Sequence, residues 1–510
     1  MNKAFKAIWS DVRQSFVTTS EIQSSHGKRS KASVSLSVAT VLLATSGLVS
    51  AAYVETGTLG DKASWETAEY NYNWGLGAMN ASSAYALGFY GQNTTTGVMD
   101  SGAWLGNPDL DTPRITATHV TGVYGSSGNR YPQSIYATIQ KGVVPTAAEG
   151  QPFTEGEEFD VKGDYTLGLN DAHGTQVTGV IGAERNGEYG HGVAFKANVV
   201  VGNTGATDNN NYGPFQDYNY YFKGYKALAD AVNAGNGEYR GGMVNNSYGT
   251  NTKIYSSGGH RLTPDEMSEL LAGSGNYDRA SAAYAVTFSG DYSFLGLNDV
   301  PGADQYSTNP SAFEWEYMYF KLKYGDKPSF LDGAYDAVKG TNVILSWAAG
   351  NQDRGTPYLK GLYPYFHPEA EKNWLNAVGV MQTRGDNDQY MQATYCKAGL
   401  AKWWSMSGPT AYPGIGTTYV TTDLENGRLT TTGFNGTSAS DPQISGAFTV
   451  LQSRYPSMTA IQVKDVMYTT ASHIGANGQP FTNWTAAEGT PDVIYGWGMP
   501  DLEKGMYGPG

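Results

Sequence analysis

Cysteine is almost missing. A single residue, Cys396, represents it among 510, which excludes an intrachain disulfide framework and any metal site built from several thiolates. Charge is sparse as well: Asp, Glu, Lys and Arg make up 16% of the chain, low for a cytosolic enzyme. The longest apolar run, VSLSVATVLLATSGLV, holds 16 residues and is interrupted by Ser and Thr, so a membrane-spanning helix is the weaker reading. Basic residues are outnumbered 33 to 47, for a net charge of −14. With no basic patch in the body of the chain, nucleic acid is not an expected partner. Histidine is scarce, with seven residues of which six lie beyond the first 51.

What is abundant is glycine (65) and, more unusually, tyrosine (37), within a hydrophobic content of 40%. These are the proportions of a folded chain with many turns and large aromatic surfaces. The first 51 residues stand apart. They carry six Lys/Arg against two Asp/Glu, a surplus of four positive charges, so the remainder carries −18. A basic lead, the apolar run and the small residues Val49 and Ala51 make a signal peptide cut after Ala51 or Ala52. The long lead, MNKAFKAIWSDVRQSFVTTSE followed by SSHGKRSKAS, resembles the extended signal-peptide region of Gram-negative autotransporters and related type V secretion substrates. That resemblance implies export across the inner and then the outer membrane.

Beyond the signal, WGLGAMNASSAYALG reads as a short helix ending at Gly88, and TGVMD as a strand entering an Asp-Ser-Gly turn. From residue 170 strands and helices alternate: NVVVG at 198–202, GMVNNSYG, then SFLDGAYDAVKG as a helix stopped by Gly340 before the strand TNVILSWAAGN. This alternation predicts a parallel sheet covered by helices. Two helices close the pattern. Ile444, Ala447, Phe448 and Leu451 recur at helical spacing; in TAIQVKDVMYTTA, Thr459 and Gln462 make a capping box ahead of the face Val463, Val466, Met467 and Thr470. Segments without clear period, about 111–165, 204–240 and 251–330, are expected to be surface insertions on one domain spanning 52–510.

Three segments carry chemistry. Asp100 closes a strand in GVMDSG, His173 sits in NDAHGTQVTG with Asp171 as a plausible helix N-cap, and Ser438 sits in NGTSASDP at the mouth of the 444–451 helix. Serine needs a base to remove its proton, the base needs a carboxylate to fix its tautomer, and the oxyanion needs preorganised donors. The Ser438 amide at a helix N-terminus and the Asn351 side chain, closing AAGN at a strand end, can supply such donors. Taken alone, each has a plainer reading: a strand-end turn for Asp100 and Asn351, a structural histidine, an N-cap serine.

Together, in the order Asp, His, Ser, these motifs resemble those of the subtilisin-like serine proteases over roughly residues 75–510. NPDL at 107–110 strengthens the aspartate motif. HGTQVTG differs from HGTxVAG by Thr178 for Ala, with Gln176 where a second His is common. GTSASDP departs further from GTSMAAP: Ala439, Ser440 and Asp441 replace Met-Ala-Ala and Pro442 is kept. Asp441 is placed to raise the His173 pKa or to hydrogen-bond locally. GTSAS is also similar to the sedolisins, which use a Glu and Asp pair instead of His; HGT and DSG favour the subtilases.

The resemblance implies a three-layer α/β fold with a mostly parallel central sheet and helices on both faces. It implies a triad of Asp100, His173 and Ser438, an oxyanion donor in Asn351, and a substrate cleft at Ser247, Tyr248 and Gly249 joined by strand addition. Tyr248 and Trp347 suggest apolar specificity. The end, VIYGWGMPDLEKGMYGPG, looks like the end of an autotransporter catalytic domain. KAGLAKWWSMSGP resembles a segment that often carries two cysteines; Ser405 stands at the second position, which leaves Cys396 a free thiol. The stretch from 52 to 99 is short for the inhibitory segment of secreted subtilisins, and no C-terminal barrel pattern is visible. Many subtilases bind calcium, but the loops around Asp164 and Asp208 match loosely, and no metal or cofactor is assigned. The expectation is a monomeric serine endopeptidase acting on protein or peptide substrates, secreted or on the cell surface of a Gram-negative bacterium via the periplasm, touching a membrane only through export or a barrel domain outside this chain. The alternative is an inactive passenger of the same fold serving as an adhesin or binding module.

Overall fold

Runs such as TTGVMD and ILSWA are buried on both faces, as strands between two helical layers must be. The computed structural model describes residues 5–10, 15–20, 53–129, 152–164, 172–188, 190–204, 217–237, 239–248, 328–351, 355–382, 390–392, 395–410, 419–423, 428–432 and 434–508. Residues 1–52 form a unit of their own, in which Phe5–Ser10 pairs antiparallel with Ser15–Ser20.

In the larger unit the central sheet has eight strands: β1 (Thr95–Asp100), β2 (Ile115–Ala117), β3 (Asn198–Asn203), β4 (Met243–Asn246), β5 (Ile344–Ala348), β6 (Trp374–Gln382), β7 (Tyr390–Gln392) and β8 (Ser405–Pro409). Their order is β7-β6-β5-β4-β1-β3-β2, with β8 also paired to β6. All pairings are parallel except β6 with β7.

Successive side chains of a strand point to opposite faces, and here they enter different cores. Val244, Leu345, Trp347 and Trp374 join a Tyr- and Trp-rich cluster with helices α2 (Tyr218–Asn236), α3 (Phe330–Val338) and α4 (Leu359–Phe366). Their neighbours Met243, Ile344 and Leu375 join a second cluster with α5 (Thr437–Arg454) and α6 (Ala460–Thr469). Val98, Val199 and Val201 meet α1 (His173–Gly182) in a third. The fold is therefore the expected three-layer α/β arrangement.

Two expectations fail. The helix read over WGLGAMNASSAYALG is two helices, Trp74–Ala78 and Ala81–Ala86, broken at Asn80 with φ of 54°. The segment 204–240 is not a surface insertion, because α2 occupies most of its described part and buries Tyr221, Tyr225, Leu228 and Val232. Tyrosine serves there as a core residue with the spacing of a helical face. Likewise β2, within 111–165, is a strand of the central sheet. Residues 249–327 and Asp208 lie outside the described residues.

Candidate active site

β1 delivers Asp100 to the carboxyl end of the parallel sheet, the edge where α/β proteins build their sites. The side chain is fully buried, and its Oδ1 accepts from the Ser101 amide at 2.8 Å. The same oxygen lies 2.8 Å from His173 Nδ1. The flanking residues explain how strand and helix come so close. Ser101 Oγ accepts from the Gly174 amide at 2.8 Å, and the Trp104 amide donates to Thr175 Oγ1 at 2.9 Å. A Cβ on Gly174 would stand 2.2 Å from the Gly102 carbonyl oxygen, so only glycine lets the turn dock here. His173 opens α1, whose N-cap is Ala172 without a side-chain bond; the expected cap, Asp171, lies outside the described residues. Phe434 meets the imidazole edge-on, with ring centroids 5.5 Å apart.

Ser438 is the second residue of α5 and not its cap. That position belongs to Gly436, with φ of 87°. Ser438 therefore lies within the first turn, where amides lack intrahelical partners. Phe434 and its neighbour Ala439 pack in the same apolar cluster as Val177 and Val180 of α1, so the helices of Ser438 and His173 share one core. In this state the Ser438 hydroxyl donates to the Ser247 carbonyl at 2.6 Å, so its proton is directed at β4's end and not at the imidazole. Within the expected trio, Asp100 and His173 are joined by a hydrogen bond.

Asn351 is held from one side. Its Oδ1 accepts from both the amide (2.8 Å) and the hydroxyl (2.9 Å) of Thr437, and Thr437 Oγ1 accepts from the Gly350 amide at 3.0 Å. With the oxygen committed, the Nδ2 group is the donor the side chain presents. A Cβ on Gly436 would lie 2.8 Å from that nitrogen, which accounts for glycine before Thr437.

The expected cleft residues turn out differently. Ser247 and Tyr248 are buried, and the Tyr248 hydroxyl pairs with that of Tyr225 at 2.7 Å. Its carbonyl accepts from Lys360 Nζ at 3.3 Å, and that buried cation sits 4.1 Å over its ring. Trp347 is buried and stacked on Trp374 at 5.5 Å. The Tyr248 and Trp347 side chains thus belong to the core, and the apolar specificity read from them loses its basis. Gly249 lies outside the described residues. Cys396 is buried and in no intrachain disulfide, and Ser405 Oγ donates to the Ala401 carbonyl at 2.8 Å.

Sequence reasoning did not find the partners of Asp441. Its carboxyl is buried, with Oδ1 accepting from Ser346 Oγ and Oδ2 accepting from the Asn246 amide at 3.2 Å and lying 3.5 Å from Ser247 Oγ. Burial pushes its pKa up to about 7, hydrogen bonds from Ser346, Asn246 and Ser247 oppose this, and the Asp100 charge reinforces it. Of the two readings for this residue, local hydrogen bonding is the one the geometry displays. Asp109 of NPDL binds Asn186 Nδ2 at 2.8 Å, and burial pushes it up to about 6. His191 is fully buried, which lowers its pKa to about 3 and leaves it a neutral structural group. Among the described residues no three His, Cys, Asp or Glu side chains converge to hold a metal ion.

A model of the subtilase family matches residues 91–498. The chain belongs to the subtilases. A second model, the extended signal peptide of the type V secretion system, matches residues 1–50, so this subtilase carries an export signal. It is 25% identical over 478 residues to an extracellular serine protease of Serratia marcescens, a match that takes in 90% of this chain and 36% of the relative. Serotype-specific antigen 1 of Mannheimia haemolytica is 32% identical over 173 residues, covering 34% of this chain and 16% of the antigen. The chain thus spans little more than a third of the length of the Serratia relative. Among solved structures, a serine protease of Aeromonas sobria aligns with a TM-score of 0.44 at 17% identity, covering 86% of this chain and 66% of that one.

Proposed function

We propose that this subtilase is an exported serine endopeptidase working through Asp100, His173 and Ser438. The observation that carries the reading is the buried Asp100 carboxylate bonded at 2.8 Å to His173 Nδ1. That bond fixes the imidazole so that Nε2 is the basic nitrogen and stabilises the imidazolium once it has taken a proton.

In the reaction, Ser438 Oγ turns from the Ser247 carbonyl toward Nε2, gives up its proton and attacks the scissile carbonyl. Catalytic hydrogen bonds commonly tighten only when substrate is bound. The oxyanion is held by Asn351 Nδ2 and the Ser438 amide. His173 then protonates the leaving amine, and water attacking the acyl-enzyme by the same route restores Ser438. Substrate pairs as an added strand with backbone at Ser247, Tyr248 and Gly249. The enzyme acts as a monomer on proteins or peptides, outside the inner membrane and at or beyond the cell surface, with no metal or nucleic acid involved.

A fluorophosphonate probe tests this. Wild-type protein is expected to label covalently, and Ser438→Ala and His173→Ala to lose labelling. Folded wild-type protein that resists the probe would overturn the proposal in favour of a binding passenger.

A further inference from the structure

Asp441 is a buried carboxyl near the site that the proposed reaction does not use. It lies one helical turn beyond Ser438 on α5 and touches two strands, the middle of β5 through Ser346 and the end of β4 through the Asn246 amide and Ser247 Oγ. Ser247 is the residue whose carbonyl receives the Ser438 hydroxyl, at 2.6 Å. The Asn245 side chain extends the network by bridging Ser247 Oγ (2.8 Å) and Ser445 Oγ (3.0 Å). The nucleophile's helix, the strand that accepts its hydroxyl and the strand leading to Asn351 thus meet at one carboxyl.

Resting on the serine-protease reading, we infer that Asp441 is a positioning residue that works protonated, as a neutral tie fixing Ser438 against the end of β4. A carboxylic acid can donate at one oxygen while accepting at the other: Oδ2 accepts from the Asn246 amide, which leaves the protonated Oδ1 to donate to Ser346 Oγ, whose hydroxyl can reverse its role. The titratable groups that act on it are Asp100 on β1 and Tyr225 on α2; behind them Tyr248 bonds to Tyr225 and His173 to Asp100. Among the described residues no lysine or arginine pairs with it. Burial disfavours its charged form and raises its pKa to about 7, and the Asp100 charge adds to this in smaller measure. Ionising Asp441 removes its donor, adds a second negative charge, and loosens the seat of Ser438.

The test is the rate of fluorophosphonate labelling across pH, for the full exported chain and its Asp441→Asn and Asp441→Ala variants. Asn mimics the protonated acid and is expected to label like wild type on the acid side of neutrality. On the alkaline side it should outpace wild type, whose rate is depressed as Asp441 ionises. Ala removes the tie and is expected to slow labelling roughly ten- to a hundredfold at every pH, the cost of a small misplacement of a reacting group. Identical pH profiles for wild type and Asn, or an unimpaired Ala variant, would overturn the inference while leaving the protease reading intact. If Ala fails to fold, thermal unfolding decides. The wild-type melting temperature should fall from acid to alkaline pH more steeply than that of Asp441→Asn, and parallel curves would overturn the inference. Folded wild type that never labels would bring down the protease reading itself, and this inference with it.

Discussion

α5 and α6 follow one another in the chain and contribute to the same core, yet they are built on opposite plans. α6 carries its own start signal, although its buried Lys464 Nζ donates to the Glu371, Lys372 and Trp374 carbonyls. Thr459 and Gln462 form a capping box at its start, and Val463, Val466 and Met467 make one buried face. α5 begins at Gly436 with no side-chain cap and is buried from Thr437 to Gln452. Its buried polar groups depend on distant residues: Gln443 on Asn73 at 2.9 Å, Ser445 on Asn245 at 3.0 Å, Gln452 on the Gly241 carbonyl at 2.9 Å. Buried polar groups are costly unless satisfied, so α5 is stable only where the whole domain has assembled around it. The lesson is that the element bearing the proposed nucleophile depends on tertiary structure from its first residue, whereas its neighbour carries its own start signal.

Substitutions can break this contrast, and the largest effects belong to α5 and the site residues that accompany it. Ser438→Ala is expected to lower peptide hydrolysis by about 10⁴-fold or more, and Asp100→Asn by about 10⁴-fold, both with the fold intact by circular dichroism. Asn351→Ala should cost about 10²–10³ in kcat, a figure taken from a subtilisin, with KM little changed. Thr437→Val, which removes the hydroxyl that donates to Asn351 and accepts from the Gly350 amide while leaving the Thr437 amide on Asn351, should lower kcat in the same sense but by only about tenfold. On α6, Thr459→Ala is expected to cost about 1 kcal/mol in thermal or denaturant unfolding, with turnover unchanged.

Acidity sharpens the same contrast, because each helix buries a titratable group whose pKa moves toward neutrality. Asp441 on α5 rises from 3.8 to about 7. Between those values the native state holds the extra proton, so stability falls as pH rises through that window. Lys464 on α6 is lowered by burial from 10.5 to about 8. There the unfolded chain holds the extra proton, so stability rises with pH between those two values. Unfolding measured against pH should show both slopes, the first made shallower by Asp441→Asn, with Asp109 still contributing to it, and the second made shallower by Lys464→Met.

The sequence made legible whatever is enforced locally. The Asp-Ser-Gly turn, Gly174 and Thr175 have their contacts within one joint, so their motif survives as a recognisable string. The stop at Gly340, with φ of 79°, and the Thr459 box are likewise local. Asp441 was visible as an oddity, but its role was not, since its partners lie on β4 and β5, far off in the chain. Tyr248 and Trp347 lie near the motifs yet are buried, because in so Tyr-rich a chain large aromatics fill the core. The buried tyrosines of α2 follow the same rule. The break at Asn80 left no trace, since asparagine enters the left-handed region without the glycine or proline that would announce it.

Cys396 has a consequence for the journey this protein makes. Its amide donates to the Gly350 carbonyl at 3.0 Å, and a Cβ on Gly350 would lie 3.1 Å from its sulfur. The only thiol is thus sealed behind the loop that presents Asn351. A chain still unfolded offers that sulfur to any alkylating reagent, and a folded one conceals it. Maleimide uptake therefore reads out, molecule by molecule, how much of an exporting population has yet to close its core.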